Sequence, residues 1–270
     1  MVDRTLAFLG RGGAQDSRAV ARDVLGLSPV TDAVADRVVL ALLGADPRVR
    51  RRYDGRWALA AESGAAAPLD GTAFAVVDLE TTGSRAGMGD RIVEIGVVML
   101  VDGQVDVVLD LLVNPERSIP HFVRRLTSIT PDMVREQPAF ADVADHVVSV
   151  LSGRVFVAHN AQFDWRFLQA ELRRSRGLAL EGPRVCTLRM ARRLVPGLRS
   201  RSLDALAAYF GISIDARHRA AGDALATARI LGRLLERAAD QGIATVGELE
   251  RLSTRRRRKR TAMPVSMEAL

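Results

Sequence analysis

The stretch from Phe74 to Gly83 constrains the fold of this chain more than any other; it reads Phe-Ala-Val-Val-Asp-Leu-Glu-Thr-Thr-Gly. Its first half is an apolar run with β-branched residues, which is typical of a buried strand. Two acids, Asp78 and Glu80, then interrupt the run. Because alternate side chains of a strand point to the same face, we expect the two carboxylates to lie side by side.

This pair of carboxylates indicates a cation site. In a low dielectric two neighbouring anions repel each other, and one of them would otherwise take up a proton. A divalent cation removes that conflict, and hard oxygen ligands suit magnesium or manganese. A strand whose polar end simply reaches solvent has the same pattern, so Asp78 and Glu80 alone do not decide between the two.

The size and composition of the chain narrow its class. Its 270 residues suffice for one large domain or for a domain with a small companion. Hydrophobic residues make up 48%, yet no stretch approaches the ~20 apolar residues of a membrane span. Cys186 is the sole cysteine, so an intramolecular disulfide is excluded, and the N-terminus lacks a signal-peptide core. We expect a cytoplasmic protein with no membrane partner and a buried, inert Cys186.

The positive charge is concentrated at the C-terminal end. The formal net charge is +7, and residues 255–270 contribute +5 of it, mainly through five arginines and one lysine at 255–260. Such a run is usually solvated and disordered and often contacts nucleic acid. Residues 243–270 are therefore predicted to form a disordered basic tail.

Residues 1–60 are predicted to form a small domain. After a loosely ordered stretch at 1–14, Ser28-Pro29 has the composition of an N-cap and first-turn proline for the second of two helices. Asp54-Gly55 separates two strand-like runs, which indicates a hairpin, and five arginines lie within 48–56. Helices followed by a basic hairpin resemble a winged-helix module. Nucleic-acid binding, protein binding and simple packing all fit this pattern.

A linker rich in Ala, Gly, Ser and Pro is predicted at 61–71, followed by the main domain at 72–242. The first strand is succeeded by two more, joined by the turn Asp102-Gly103. Later strands alternate with helices. The pattern predicts an α/β fold in which a mixed sheet with at least one antiparallel strand is flanked by helices. The later strands are expected at 91–100, 105–113, 154–158 and 185–187, and the main helices at 121–126, 131–136, 139–151, 187–194, 202–210 and 219–241, with another running through Leu172.

Two more acidic motifs follow along the chain. His159-Asn160-Ala161-Gln162-Phe163-Asp164 comes after a predicted strand, and His218-Arg219-Ala220-Ala221-Gly222-Asp223 opens the last long helix. Each acid alone is also an ordinary partner of a helix dipole. Together with the first stretch, in this order and at these separations, the motifs resemble the DEDDh group of 3′–5′ exonucleases, which includes the proofreading epsilon subunit of bacterial DNA polymerase III. The resemblance covers roughly 72–242 and implies a ribonuclease H-like fold.

The resemblance implies a role for each motif residue. Asp78, Glu80, Asp164 and Asp223 would bind two divalent cations, Mg²⁺ or Mn²⁺, and His218 would be the general base. Two metals ~3.5–4 Å apart can activate a water and stabilise the departing 3′ oxygen. A histidine of unperturbed pKa ~6.5 can accept the proton of that water near neutrality.

The resemblance also implies substrate-binding positions. Thr127 lies in a segment that family members usually write L-T-G-I-T, and here Ser128 replaces the glycine. A turn role suits Asn160 equally well, and a packing role suits Trp165 at least as well as base stacking. His159 is expected to be a structural polar group. The substrate-binding candidates are Thr81, Thr82, Thr127, Asn160 and Phe163, the last of which also fits the core.

The predicted function is a metal-dependent 3′–5′ exonuclease that releases nucleoside monophosphates from single-stranded or frayed 3′ ends in proofreading or repair. DNA is favoured over RNA because of the basic N-terminal hairpin, and trimming of RNA 3′ ends is the alternative. A non-catalytic nucleic-acid or polymerase adaptor is less favoured because no acid of the motifs is missing. A DNA polymerase or another replication or repair protein is the expected partner.

Overall fold

The computed structural model describes residues 1–44, 46, 48–51, 55–59 and 67–254. The turn residue Asp54, the stretch 60–66 and the basic run at 255–260 lie outside the described residues. The division into an N-terminal domain, a linker and a main domain remains a prediction. Within the described ranges, no helix has both the length and the apolar character needed to cross a membrane.

The described residues of the N-terminal part form three helices, which are followed by two antiparallel strands. Trp57 is 2% exposed at the centre of its core, and its indole N–H donates to the Ser17 hydroxyl at 3.0 Å. The hairpin that the sequence predicts is therefore present. The elements are α1 (Val2–Gly12), α2 (Ser17–Asp23), α3 (Asp32–Leu43), β1 (Val49–Arg51) and β2 (Trp57–Leu59).

Two predictions for this part are wrong. The stretch 1–14 is not loosely ordered, because Thr5 and Leu9 are spaced to bury one face of α1, and the glycines cluster at its end. The second predicted helix does not begin at Ser28-Pro29. It begins at Asp32, because the apolar spacing that buries α3 against its neighbours starts only after that residue.

The main part is built on a five-stranded mixed sheet. The strands are β3 (Phe74–Thr81), β4 (Ile92–Val101), β5 (Gln104–Leu112), β6 (Val155–Ala158) and β7 (Arg184–Cys186). Their order is β5-β4-β3-β6-β7, in which β3, β4 and β5 are antiparallel neighbours and β6 and β7 run parallel to β3. The predicted α/β class and mixed sheet are confirmed.

Eight helices complete the described part of this unit. They are α4 (His121–Thr127), α5 (Pro131–Arg135), α6 (Phe140–Leu151), α7 (Gln162–Arg176), α8 (Thr187–Leu194), α9 (Leu203–Phe210), α10 (Ala220–Ala239) and α11 (Val246–Thr254). Alternate residues of β3 enter different cores: Phe74 and Val76 pack with α8 to α11, whereas Ala75 and Val77 pack with α6 and α7. The sheet is therefore covered on both faces.

The prediction that the disordered tail starts at residue 243 is wrong for 243–254. Val246 and Leu249 of α11 are buried, and α11 packs on α8 and β7. Their spacing of three residues gives the helix an apolar side. The prediction of disorder for 243–270 rests on the net charge of the whole segment. The basic run that supplies this charge begins only at 255, after α11.

Candidate active site

The end of β3 places two acids on the face that α10 covers. Asp78 and Glu80 have the same parity along the strand as Val76, which packs beneath α10. On the neighbouring strand, Gly96 lies opposite Asp78 and Glu94 lies opposite Glu80. The alternation expected from the sequence thus directs both carboxylates toward the start of α10.

Gly96 allows α10 to approach the sheet closely. A Cβ at this position would lie 2.3 Å from the carbonyl carbon of Ala220, which is far inside contact distance. Only glycine leaves room for the backbone of α10 there. The first turn of α10 can therefore reach the acids of β3.

Glu94 holds that first turn in place. Its side chain is fully buried, and it accepts the Ala220 backbone N–H at 2.9 Å and the Arg219 Nε–H at 2.8 Å. A carboxylate at a helix N-terminus satisfies an otherwise unpaired N–H group and complements the helix dipole. Neither Glu94 nor Gly96 is predicted as a functional residue from the sequence; the available signal is a single acid within the otherwise apolar strand at 92–101.

Three of the predicted residues form a group that can hold a metal ion. One ligand atom each from Glu80, His218 and Asp223 lies within 4.8 Å of the others. Among the residues that the structure describes, the buried Oδ1 atom of Asp223 has no hydrogen-bond partner. A buried carboxylate oxygen without a partner is costly unless a cation occupies the site, so the residues present fit a divalent metal.

Asp78 and Asp164 extend the acidic group. Burial raises the pKa of Asp78 well above its usual range, and the charges of Asp164, Glu80 and Asp223 raise it further. Such mutual repulsion requires the four carboxylates to lie near one another. The structure thus brings together all four predicted acids and His218, while their roles as ligands and base stay predictions.

The pKa values of the other three acids are also raised. Burial, followed by the charges of Asp223 and Glu94, raises the pKa of Glu80 to about 8. Burial also raises the pKa of Asp164 to about 7, and it raises the pKa of Asp223. Near neutral pH the metal-free cluster therefore retains protons that a divalent cation would displace.

A sharp turn between β6 and α7 places Asp164 in the acidic group. Asn160 adopts a left-handed backbone conformation with φ of 74°, which asparagine tolerates better than most residues. Asn160 is exposed, whereas Asp164 is only 3% exposed. The backbone supports the turn role for Asn160, and its contact with substrate stays a prediction.

His159 is a structural group, as expected. Its Nδ1 lies 3.0 Å from the hydroxyl oxygen of Thr187. Burial lowers the pKa of His159 to about 4. The imidazole is therefore neutral near neutral pH and joins the end of β6 to the start of α8.

The three candidate threonines use their hydroxyls within the protein. Thr81 Oγ1 donates to the Gly83 carbonyl at 2.5 Å, and Thr82 Oγ1 accepts the Arg91 N–H at 3.0 Å. Thr127 is 2% exposed, and its hydroxyl donates to the Val123 carbonyl at 3.0 Å. These side chains shape the edge of the site, and any substrate contact made by Thr127 has to come from its backbone.

Ser128 ends α4 with a left-handed φ of 60°. That conformation suits glycine, which accounts for the residue usual at this place in related segments. Ser128 adopts it as a helix cap, with its N–H donating to the Arg124 carbonyl at 2.9 Å.

The aromatic candidates on α7 have packing contacts. The Phe163 ring lies 4.9 Å from the Phe167 ring, and Trp165 meets Phe156 edge-on at 5.0 Å. The Arg184 guanidinium also covers the Trp165 ring at 4.7 Å. Packing therefore accounts for Trp165, while substrate contact by Phe163 stays a prediction. Cys186 is buried, as expected.

Comparison with known proteins identifies a family. Residues 75–231 match the RNase_T family model, described as exonuclease. The chain is 36% identical over 183 residues to DNA polymerase III PolC-type of Caldanaerobacter subterraneus subsp. tengcongensis, which covers 68% of this chain and 13% of that protein. It is 36% identical over 181 residues to the 3′-5′ exonuclease DinG of Bacillus subtilis, covering 67% of this chain and 19% of DinG. The chain thus spans less than a fifth of either relative.

Solved structures share the fold. Exonuclease X in complex with 5′ overhanging duplex DNA is 30% identical with a TM-score of 0.54, over 67% of this chain and 99% of that one. The nuclease domain of 3′hExo, a DEDDh family member bound to rAMP, is 20% identical with a TM-score of 0.52, over 61% of this chain and 92% of that one. The predicted ribonuclease H-like fold and family resemblance are confirmed: this chain belongs to the exonuclease family.

Proposed function

We propose that this chain hydrolyses the terminal phosphodiester bond at the 3′ end of DNA and releases nucleoside monophosphates. The observation that carries the proposal is the unpartnered, buried Oδ1 of Asp223 beside Glu80 and His218. Asp78, Glu80, Asp164 and Asp223 would hold two divalent cations, Mg²⁺ or Mn²⁺. Bound there, the cations would lower the pKa of an attacking water and neutralise charge on the phosphate.

The side chains of this chain provide the remaining chemistry. A nitrogen of the His218 imidazole accepts the proton of the attacking water, whose oxygen forms the new bond to phosphorus as the bond to the 3′ oxygen breaks. The side chain of His218 is half-buried, and the backbone N–H of His218 donates to Asp223 Oδ2 at 3.1 Å. This bond joins the backbone of the proposed base directly to a proposed metal ligand.

DNA is the favoured substrate. Exonuclease X, at 30% identity, was solved with duplex DNA, and the relatives at 36% identity include DNA polymerase III PolC-type. The RNA alternative is supported by more distant structures, among them a 3′-exonuclease that recognises histone mRNA stem-loop, at 19% identity. The similarity to DNA polymerase III PolC-type is also the basis on which we propose a role in proofreading or repair beside a polymerase.

The N-terminal hairpin supports DNA binding less than its composition indicates. Arg48 pairs with Asp46 at 2.8 Å and with Asp3 at 3.1 Å. Arg51 pairs with Asp36 at 2.8 Å. Two of the five arginines of the hairpin are thus already paired with acids, so we base the preference for DNA mainly on the relatives.

A panel of end-labelled oligonucleotides tests the proposal. DNA and RNA strands of one sequence, with and without a 3′ phosphate, would be digested with Mg²⁺, Mn²⁺ or a chelator. We expect mononucleotides from the 3′ end of DNA only when metal is present. Internal cleavage, or hydrolysis in chelator that survives Asp78→Asn, would contradict it, and faster release from RNA would favour the alternative.

A further inference from the structure

We infer that Arg217, anchored by Asp204, is a positioning residue that orients Asp223 for cation binding. The inference rests on the proposed function, because it concerns the same acidic group. Arg217 lies next to the histidine of the last motif, and nothing in the resemblance assigns it a role. Three sets of contacts support the inference.

The first set fixes the guanidinium. Arg217 Nε donates to Asp204 Oδ1 at 2.7 Å, and Nη2 donates to Asp204 Oδ2 at 3.2 Å. This two-point contact fixes both the place and the plane of the group, which a single contact cannot do. Asp204 belongs to the first turn of α9, which is capped by Ser202. Asp204, which holds Arg217, therefore belongs to α9, whereas His218 precedes α10 and Asp223 lies in the first turn of α10.

The second set concerns the carboxylate of Asp223. The remaining nitrogen of Arg217, Nη1, donates to Asp223 Oδ2, which also accepts the backbone N–H of His218 at 3.1 Å. Oδ2 thus accepts two hydrogen bonds, whereas Oδ1 is buried and finds no partner in the described part of the chain. Two donors on one oxygen set the rotation of the carboxylate and leave the other oxygen for a metal ion. Hydrogen bonds of this kind orient metal ligands in other proteins.

The third contact reaches the predicted base. Arg217 Nη1 lies 3.3 Å from Nδ1 of His218. His218 has a left-handed φ of 62°, which is unusual for a residue with a side chain. One guanidinium therefore touches both functional residues of the motif and supports an uncommon backbone conformation between them.

The positive charge of Arg217 and its hydrogen bonds have opposite effects on the affinity of the site for a cation. A positive group near the site repels a divalent cation, so removing the charge raises cation affinity while removing the contacts lowers it. Arg217→Lys separates the two effects. Lysine retains the charge but lacks the planar fork that contacts Asp204 and Asp223 together.

Mn²⁺ binding to the full chain, measured by isothermal titration calorimetry, tests the inference without requiring activity. We expect Arg217→Lys to weaken Mn²⁺ affinity by about tenfold or more, in the range known for residues that orient metal ligands. Asp204→Asn should weaken it similarly, and the double variant should be no weaker than either single variant. Arg233→Lys is the matched control, because Arg233 lies on α10 and, within the part of the chain that the structure describes, forms its ion pair with the exposed Glu236.

Activity provides a second readout. Raising the Mn²⁺ concentration should restore most of the rate of Arg217→Lys, since its ligands are intact. Mn²⁺ affinity equal to or tighter than wild type in folded Arg217→Lys, or additive losses in the double variant, would overturn the inference. Circular dichroism establishes folding, and Asp204→Asn carries the test if Arg217→Lys does not fold. If the wild-type chain binds no Mn²⁺, the proposed function itself fails.

Discussion

The Glu94 carboxylate accepts the backbone N–H of Ala220 at 2.9 Å, although 126 residues of sequence separate the two. This bond joins the second strand of the sheet to the first turn of the helix that carries Asp223. The motif His218 to Asp223 is thereby held against the acids of β3. The site is thus assembled from β3, the start of α7 and the start of α10, with β4 as their common support.

The close approach of β4 and α10 makes Gly96 indispensable. Gly96→Ala places a methyl group 2.3 Å from the Ala220 carbonyl carbon, so α10 must shift away from β3. We expect a loss of stability of about 1–3 kcal/mol, as for other overpacked sites, and a much larger fractional loss of hydrolysis rate. Denaturant unfolding and single-turnover rates measure the two effects.

Gly232→Ala is the matched control for that prediction. Gly232 lies within α10, and an added Cβ there would meet no atom of the described residues within 4 Å. The same change should stabilise the chain by about 0.5–1 kcal/mol through helix propensity and leave the rate unchanged. Normal activity in Gly96→Ala would mean that β4 does not position α10.

The sequence predicted the acidic site but not its support. Strand alternation placed Asp78 and Glu80 on one face, and family motifs supplied the other acids. The role of Glu94 is not predictable from the sequence, because its hydrogen-bond partner Ala220 is 126 residues away. Arg217 is not predicted because arginine is usually exposed, and because its two acidic contacts, Asp204 and Asp223, are 13 and 6 residues away in the sequence.

The errors at the two ends of the fold have a shared cause. Composition dominated the predictions there: glycines for 1–14, and positive charge for 243–254. In both segments the spacing of apolar residues decides the structure, as Leu9 and Leu249 demonstrate by being fully buried. Short amphipathic helices are stabilised by tertiary contacts, which local composition does not reveal.

Asp78→Asn should abolish hydrolysis and stabilise the metal-free chain. Burial and three neighbouring carboxylates raise the pKa of Asp78, so its anion is disfavoured in the folded state. A raised folded pKa means that stability is lost as pH rises through it, and neutral Asn avoids this loss. In EDTA at about pH 8 the melting temperature should rise, and the gain on adding Mg²⁺ should shrink.

Asp132→Asn is the control for charge removal. Its side chain is 78% exposed and pairs with Arg135, and Asp132 is not among the charges that raise the pKa of Asp78. Melting temperature and Mg²⁺ response should match wild type. A lower melting temperature for Asp78→Asn in EDTA would show that the carboxylates stabilise one another rather than repel.

His159→Gln should reduce the sensitivity of the chain to mild acid. The pKa of His159 is lowered to about 4 by burial, whereas an unfolded histidine titrates near ~6.5. The unfolded state therefore binds an extra proton between these values, and stability is lost as pH falls through that window. The slope is at most about 1.4 kcal/mol per pH unit. Urea unfolding at several pH values should show a shallower loss for the variant, and equal slopes would contradict a buried neutral imidazole.

Phe122→Ala should weaken binding of single-stranded 3′ ends. Phe122 and Leu126 are 64% and 52% exposed, four residues apart on α4, with Arg124 and Arg125 between them. Below them, α4 packs on Val93, the neighbour of Glu94, so this surface lies at the same end of the sheet as the acids. Aromatic stacking contributes ~1–3 kcal/mol per base. We expect KM for an oligonucleotide to rise about fivefold or more, with kcat little changed.

Two comparisons test whether Phe122 contacts the nucleotides beyond the cleaved phosphodiester bond. Leu178→Ala removes another exposed apolar side chain, 47% exposed just after α7, and should leave KM unchanged. A thymidine monophosphate nitrophenyl ester has no further nucleotides, so Phe122→Ala should hydrolyse it at the wild-type rate. A fall in kcat on this small substrate would instead place Phe122 at the terminal nucleotide, because only a residue near the reacting phosphate can affect a substrate without a strand.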